Sequence, residues 1–198
     1  MSLRIHNTLT RTEEEVCPRP ESPGLLTLYT CGPTVYADAH IGNFRAYVFE
    51  DLLQRHLLAR GFAVRRVMNL TDVDDKTIRG CRAAGVPLAE HTRPFKEAFF
   101  ADAASLRLLP ADAYPCATDP EQIARMIAMI GTLIERGHAY RAEDGSVYFR
   151  IASFPGYGKL AHVDPEQQRP GQRVASDEYE KEAVADFALW KAWIPEDG

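Results

Sequence analysis

Between residues 25 and 70 the apolar positions change period twice, which predicts a strand, a helix and a second strand. Residues 25–30 form a continuous apolar and threonine-rich run, the character of a strand covered on both faces in a parallel sheet. Over 43–60 the residues Phe44, Tyr47, Val48, Leu52 and Leu58 recur at helical spacing, and Gly61 stands where a helix commonly ends. Residues 63–70, with Val64, Val67 and Met68, read as strand again, so a right-handed parallel crossover is expected. The run Thr71-Asp72-Val73-Asp74-Asp75-Lys76 then opens a helix reaching Ala84 before Gly85. Helical signals resume over 95–106, with Pro94 marking a start or a kink.

The flanks follow other patterns. Residues 3–15 are polar, and Pro18, Pro20, Pro23 and Gly24 break regular structure, so 1–24 reads as an arm and linker. Prolines crowd 110–120, which suits a boundary where the chain leaves the sheet for an inserted unit. Asp119-Pro120-Glu121-Gln122 combines an N-cap residue, proline at the first helical position and a capping-box glutamine, ahead of Ile123, Met126, Ile127, Ile130 and Ile134. That helix should end at Gly137. Residues 139–142 and 147–151 flank Glu143-Asp144-Gly145-Ser146, a hairpin signal. Residues 156–182 are polar and irregular, and 186–191 are apolar again, a strand expected to return to the main body. The resulting division is an arm over 1–24, the first half of an α/β parallel sheet of Rossmann type over 25–112, a small α+β insertion over 113–185 and a return segment over 186–198.

Composition narrows the class without naming a partner. With 198 residues, 45% of them hydrophobic, the chain can bury a packed core. The formal charge of −5 argues against nucleic-acid binding through the average field, yet leaves room for a local basic face. No apolar run approaches bilayer-spanning length and the amino end is too polar for a secretory signal, so no membrane contact and a cytoplasmic location are expected. Cys17, Cys31, Cys81 and Cys116 are too sparse for a disulfide scaffold and contain no Cys-x-x-Cys pair, which leaves free thiols or metal ligands.

Candidate chemistry gathers in 28–43. A strand that delivers a loop to a helix start aims backbone N–H groups and the positive end of the helix dipole at one point, which suits a phosphate. His40-Ile41-Gly42-Asn43 adds an imidazole and an amide on either side of a glycine. The same residues also read as a helix-capping histidine followed by a turn glycine. Cys31 precedes Gly32-Pro33 at the strand's C-terminal end, where open parallel sheets collect ligands; taken alone it reads as a small buried thiol sooner than as a metal ligand. Asp72, Asp74 and Asp75 could hold a magnesium or a ribose hydroxyl, but carboxylates are also favoured in a helix first turn, and that reading prevails. His138 and His162 read as surface histidines, Trp190 and Trp193 as core packing.

Four stretches in this order, Thr30-Cys31-Gly32-Pro33-Thr34-Val35-Tyr36, His40-Ile41-Gly42-Asn43, Asn69-Leu70-Thr71-Asp72-Val73-Asp74-Asp75-Lys76 and Asp186-Phe187-Ala188-Leu189-Trp190-Lys191, strongly resemble the cysteinyl-tRNA synthetase family of class I. A looser resemblance exists to the cysteine ligases of mycothiol synthesis. The first resemblance implies an ATP-dependent ligase, a cysteine–tRNA ligase that activates cysteine with ATP and Mg2+ to cysteinyl adenylate and transfers it to tRNA(Cys) in protein biosynthesis. By the family pattern His40, Gly42 and Asn43 are ATP-binding, and His40 and Asn43 act in catalysis, Asn43 standing where the commoner signature has a second histidine. Thr34 and Thr71 line the amino-acid pocket. Cys31 is one of four ligands to a zinc ion that binds the substrate thiolate, rejecting serine because a hydroxyl is a poor zinc ligand. The other ligands, the lysine-bearing loop and the anticodon-binding part of that family are not found in these residues. Cys116 replaces a common arginine. The chain is therefore expected to be incomplete, inactive alone, and a monomer or weak dimer, with a non-catalytic nucleotide- or partner-binding relative as the rival reading.

Overall fold

The computed structural model describes residues 3–162 and 186–195. In chain order its elements are β1 (Arg4–Asn7), β2 (Thr12–Glu15), β3 (Leu25–Thr34), α1 (Ile41–Ala59), β4 (Ala63–Thr71), α2 (Asp75–Ala84), α3 (Leu88–Ser105), α4 (Pro120–Glu135), β5 (Ala139–Arg141), β6 (Val147–Phe149), a 3-10 turn (Ile151–Ser153) and β7 (Phe187–Trp190). The chain divides into two compact units, one of Cys17–Ile123 with the last few residues and one of Met1–Val16 with Ala124–Ile194.

The first unit holds the predicted strand–helix–strand, with β3 and β4 paired in parallel from Leu25↔Ala63 to Thr34↔Thr71. Its sheet goes on past the sequence expectation. Residues 112–117 run along the other edge of β4, where Met68 N–H donates to Ala113 O and Leu70 N–H to Pro115 O. Parallel bridges join Val67 to Ala113 and Leu70 to Cys116. Pro115 has no N–H to give, which suits an outer position of irregular pairing.

Helix α1 covers one face of this sheet with only part of the set its apolar spacing suggested. Phe44, Tyr47, Asp51, Gln54 and Leu57 are buried, whereas Val48, Leu52 and Leu58 are 44%, 63% and 43% exposed. Asp51 stays inside because it has partners: its Oδ1 accepts Leu109 N–H at 2.7 Å, and its Oδ2 accepts Arg55 Nε–H at 2.7 Å. The core is the cluster of Phe44, Tyr47, Met68, Leu70 and Phe99. Tyr47 meets Phe44 edge-on at 5.5 Å and Phe99 at 5.4 Å, the preferred aromatic geometry. Burial, reinforced by the charges of Glu50 and Cys31, pushes the Tyr47 phenol up to about 12.

Helix α2 starts one residue after Asp74, whose side chain accepts Lys76 N–H while Thr77 Oγ1 accepts Asp74 N–H, a reciprocal cap. Helix α3 begins at Leu88, earlier than the pattern at 95 suggested, and Pro94 lies inside it. His91 of α3 lies so close to Gly80 of α2 that a Cβ there would fall 2.2 Å from Nε2.

The second unit contains the β1–β2 hairpin, which the polar sequence concealed, and an antiparallel sheet of order β5-β6-β7. The expected turn sits between β5 and β6, with Gly145 at φ 92°. Phe187–Trp190 is a strand as expected, but it pairs with β6 of this sheet and not with the parallel sheet of the first unit. Asp186, just before it, is buried and accepts both Tyr140 OH and Ile151 N–H at 2.9 Å. Trp190 and Trp193 are 39% and 67% exposed, so they are not core anchors as expected: β7 pairs along the outside of the sheet. Helix α4 forms where the capping signature placed it, and none of its residues is buried. Most of the polar 156–182 stretch, from 163 onward, lies outside the described residues.

Candidate active site

The C-terminal ends of β3 and β4 bring Cys31, Thr34 and Thr71 to one edge of the sheet. In register, Cys31 is opposite Asn69 and Thr34 opposite Thr71, with an irregularity between Cys31 and Thr34. The irregularity needs Gly32, since a Cβ built there would fall 2.0 Å from the Asn69 carbonyl oxygen. Gly32 N–H donates to Asn69 Oδ1 at 3.4 Å, and Asn69 Nδ2–H donates to Thr71 Oγ1 at 3.2 Å. Thr71 O in turn accepts Val35 N–H at 3.0 Å, which ties the departing loop to β4. Cys31 is exposed. The buried-thiol reading of Cys31 is thereby overturned: by strand alternation its side chain shares a face with the exposed Tyr29 and Thr27, two and four residues before it.

His40, Gly42 and Asn43 form one interlocked start to α1. His40 is the N-cap: its Nδ1 accepts Gly42 N–H at 3.0 Å, and Asn43 Oδ1 accepts His40 N–H at 3.1 Å. Gly42 is required by the ring above it, since a Cβ there would come within 2.8 Å of His40 Cε1. His40 O also accepts the N–H groups of Asn43 and Phe44. The helix start thus differs from the expectation of unpaired amides. The N–H groups of Gly42, Asn43 and Phe44 are already bonded, and what remains for an anion is the Ile41 N–H, the dipole field and the outer nitrogen of His40. With Nδ1 accepting, the imidazole carries its proton on Nε2, so His40 presents a neutral donor.

Asp72 serves neither a metal nor a ribose. It is 1% exposed and accepts Lys96 Nζ at 2.6 Å, Thr118 Oγ1 at 2.6 Å and Thr118 N–H at 3.0 Å. Burial pushes its carboxyl up, but the bonds from Lys96 and Thr118 outweigh burial and hold it below the usual range. Burial pushes Lys96 down, and the bond and charge of Asp72 reverse this to a net rise. Cys116 lies 3.5 Å from Lys96 Nζ, and burial and the charge of Asp72 raise its thiol. Lys76, which sequence reasoning did not single out, lies over the Tyr36 ring at 4.6 Å. Tyr36 stands four residues before His40, so this cation borders the same loop.

Among the described residues no group of three or more His, Cys, Asp or Glu side chains could hold a metal ion. The donor set around Cys31 therefore does not make a zinc site by itself. His138 shares a hydrogen bond with Ser153 Oγ at 2.9 Å and His162 Nε2 donates to Thr8 O at 2.7 Å, structural contacts in both cases. No helix among the described residues is long and apolar enough to cross a membrane.

Known proteins resemble the chain at two levels. The family model of the class I (C) tRNA synthetase catalytic domain matches residues 18–197. A cysteine–tRNA ligase of Protochlamydia amoebophila is 52% identical over 98% of this chain and 40% of its own length. The cysteine–tRNA ligase of Chlamydia muridarum is 51% identical, again over 98% and 40%. The chain thus spans about 40% of the length of these relatives. Among solved structures, a methionyl-tRNA synthetase of Mycobacterium tuberculosis with methionyl-adenylate superposes at TM-score 0.57 and 18% identity, over 69% of this chain and 34% of that one. A LeuRS of Agrobacterium radiobacter K84 in ternary complex superposes at 0.55 and 23% identity, over 68% and 18%. The structural likeness establishes the shared fold, and the sequence match over 18–197 places the chain in the class I (C) tRNA synthetase catalytic-domain family.

Proposed function

We propose that the chain supplies one side of the active site of a cysteine–tRNA ligase, which activates cysteine with ATP and Mg2+ and passes it to tRNA(Cys). The carrying observation is the shared sheet edge, where Cys31, Thr34 and Thr71 stand in register beside the capped start of α1. The names of the half-identical relatives support the same reading. In this proposal Nε2–H of His40 donates to a phosphate oxygen of ATP, and Asn43 holds the His40 backbone in place. Gly42 leaves room for the ring and the nucleotide, and the hydroxyls of Thr34 and Thr71 meet the amino acid. The chemistry needs no covalent intermediate, so these groups work by positioning and by stabilising phosphate charge. Cys31 is proposed as the one zinc ligand among the described residues, completed by groups outside them. We assign 25–112 to the catalytic body, 113–185 to the connective insertion, 186–198 to the return and 1–24 to an arm, in a cytoplasmic protein that is monomeric or weakly dimeric.

Cysteine-dependent ATP–pyrophosphate exchange tests this. The chain is joined to the remainder of the Protochlamydia amoebophila relative, replacing that protein's matching segment. Exchange is expected from the joined protein and absent from residues 1–198 alone. A joined protein that folds but gives no exchange, beside an active parent, overturns the reading. Transfer of cysteine to a sugar amine and not to tRNA replaces it with the mycothiol-type ligase.

A further inference from the structure

Asn69 is the one side chain that bridges the two strand ends carrying Cys31, Thr34 and Thr71. Its carbonyl oxygen accepts from Gly32 on β3 and its amide nitrogen donates to the Thr71 hydroxyl two residues along β4. The two contacts fix which way round the amide lies, because Gly32 N–H can only donate. Thr71 Oγ1 therefore accepts a hydrogen bond from Asn69 Nδ2–H, which leaves its own hydroxyl hydrogen to be donated to a ligand. The backbone at the same point is also fixed, since the Asn69 carbonyl oxygen occupies the place a side chain at position 32 would need.

We propose that Asn69 is a positioning residue that holds Thr71 in one rotamer and makes its hydroxyl a donor toward an α-carboxylate oxygen of the amino acid. The inference rests on the proposed ligase reading for the identity of the ligand, and on the geometry alone for the orientation of Thr71.

Two variants separate orientation from support. Asn69→Asp keeps an acceptor for Gly32 N–H but can only accept from Thr71, which turns the hydroxyl inward and places a negative charge beside the carboxylate site. Asn69→Ala removes both contacts. Three-bond couplings to the Thr71 methyl carbon, measured by NMR on the 198-residue chain, are expected to report one rotamer in the wild type and averaging in Asn69→Ala. A Thr71 rotamer unchanged by Asn69→Ala overturns the proposal whether or not the ligase reading holds. In the joined protein, Asn69→Asp is expected to raise the KM for cysteine by about tenfold or more, as expected for a lost hydrogen bond to a charged group. The KM for ATP should stay within about twofold, since the contact is local to the amino-acid end. Asn69→Ala, which adds no charge, combined with Thr71→Val should then be no worse than Thr71→Val alone. Equal rises in both KM values, or none for cysteine, overturn the positioning role, whereas an inactive wild-type joined protein counts against the ligase reading and leaves the NMR result to decide this one.

Discussion

Lys96 places its ammonium 2.6 Å from Asp72 Oδ2, with 25% of the lysine side chain exposed and 2% of the aspartate. The pair fastens α3 to the end of β4, and the bonds from Thr118 fasten the segment entering α4 to the same carboxylate.

Asp72→Asn should cost about 2 kcal/mol of stability, less than a fully buried pair because Lys96 reaches water. The sign with pH follows from the shifts. The folded aspartate value is lowered, so its contribution is complete above the ordinary aspartate range and disappears as pH falls through the folded value. Lys96 is raised, so its contribution is lost only as pH rises through the ordinary lysine range and beyond. Urea midpoints of wild type and variant should therefore differ at pH 7 and converge in acid; a constant difference at every pH would show that the ion pair is not what the variant removes.

Glu50 has the opposite sign. Burial raises its carboxyl, against the lowering effects of a Thr30 hydrogen bond and the charge of Arg66, and Oε2 has no partner. The charged form is disfavoured in the native state, so stability falls as pH climbs from the ordinary glutamate range through the raised value. Glu50→Gln should gain up to about 1 kcal/mol at neutral pH and nothing in acid. Thermal unfolding at both pH values checks this, and a destabilised variant at pH 7 would mean that Arg66 depends on the charge.

Gly42→Ala is expected to change the site more than the stability. The added methyl displaces the His40 ring and removes a cap worth about 1 kcal/mol, while alanine in the first turn returns about as much. Histidine NMR spectra should show His40 leaving its Nε2–H tautomer while the unfolding midpoint barely moves. An unshifted His40 signal would contradict the crowding at Gly42.

Gly131 lies within α4 and has nothing within 4 Å of its Cβ position. Gly131→Ala should stabilise the helix by about 1 kcal/mol, the usual cost of glycine in a helix interior. Hydrogen exchange of the α4 amides should slow; unchanged or faster exchange would show that the position is crowded by something else.

What the sequence disclosed follows the range of the interactions. The β3, α1 and β4 elements and the cap at His40 were legible because each depends on residues a few positions apart. The buried face of α1 was not, because Asp51 is kept inside by Leu109, 58 residues away. The β1–β2 hairpin was hidden for another reason. Its register pairs Ile5 with Glu14 and His6 with Glu13, so no apolar alternation marks it. At the site, Cys31, Thr34 and Thr71 were named from a motif. Asn69 passed unnoticed, since only the parallel register puts it opposite Cys31. Lys76 was missed because its neighbour Tyr36 is 40 residues away.

The Asn69 carbonyl that fills the space beside Gly32 also has a genetic meaning. Every amino acid reached from a glycine codon by a coding change brings a Cβ, and at position 32 that atom would sit 2.0 Å from a backbone oxygen that no rotamer can move. The position is closed to drift from the first mutational step. The neighbouring Thr34 and Thr71 already carry a Cβ, so the proposed amino-acid pocket can be retuned there by evolution or by a library while its floor at Gly32 stays invariant.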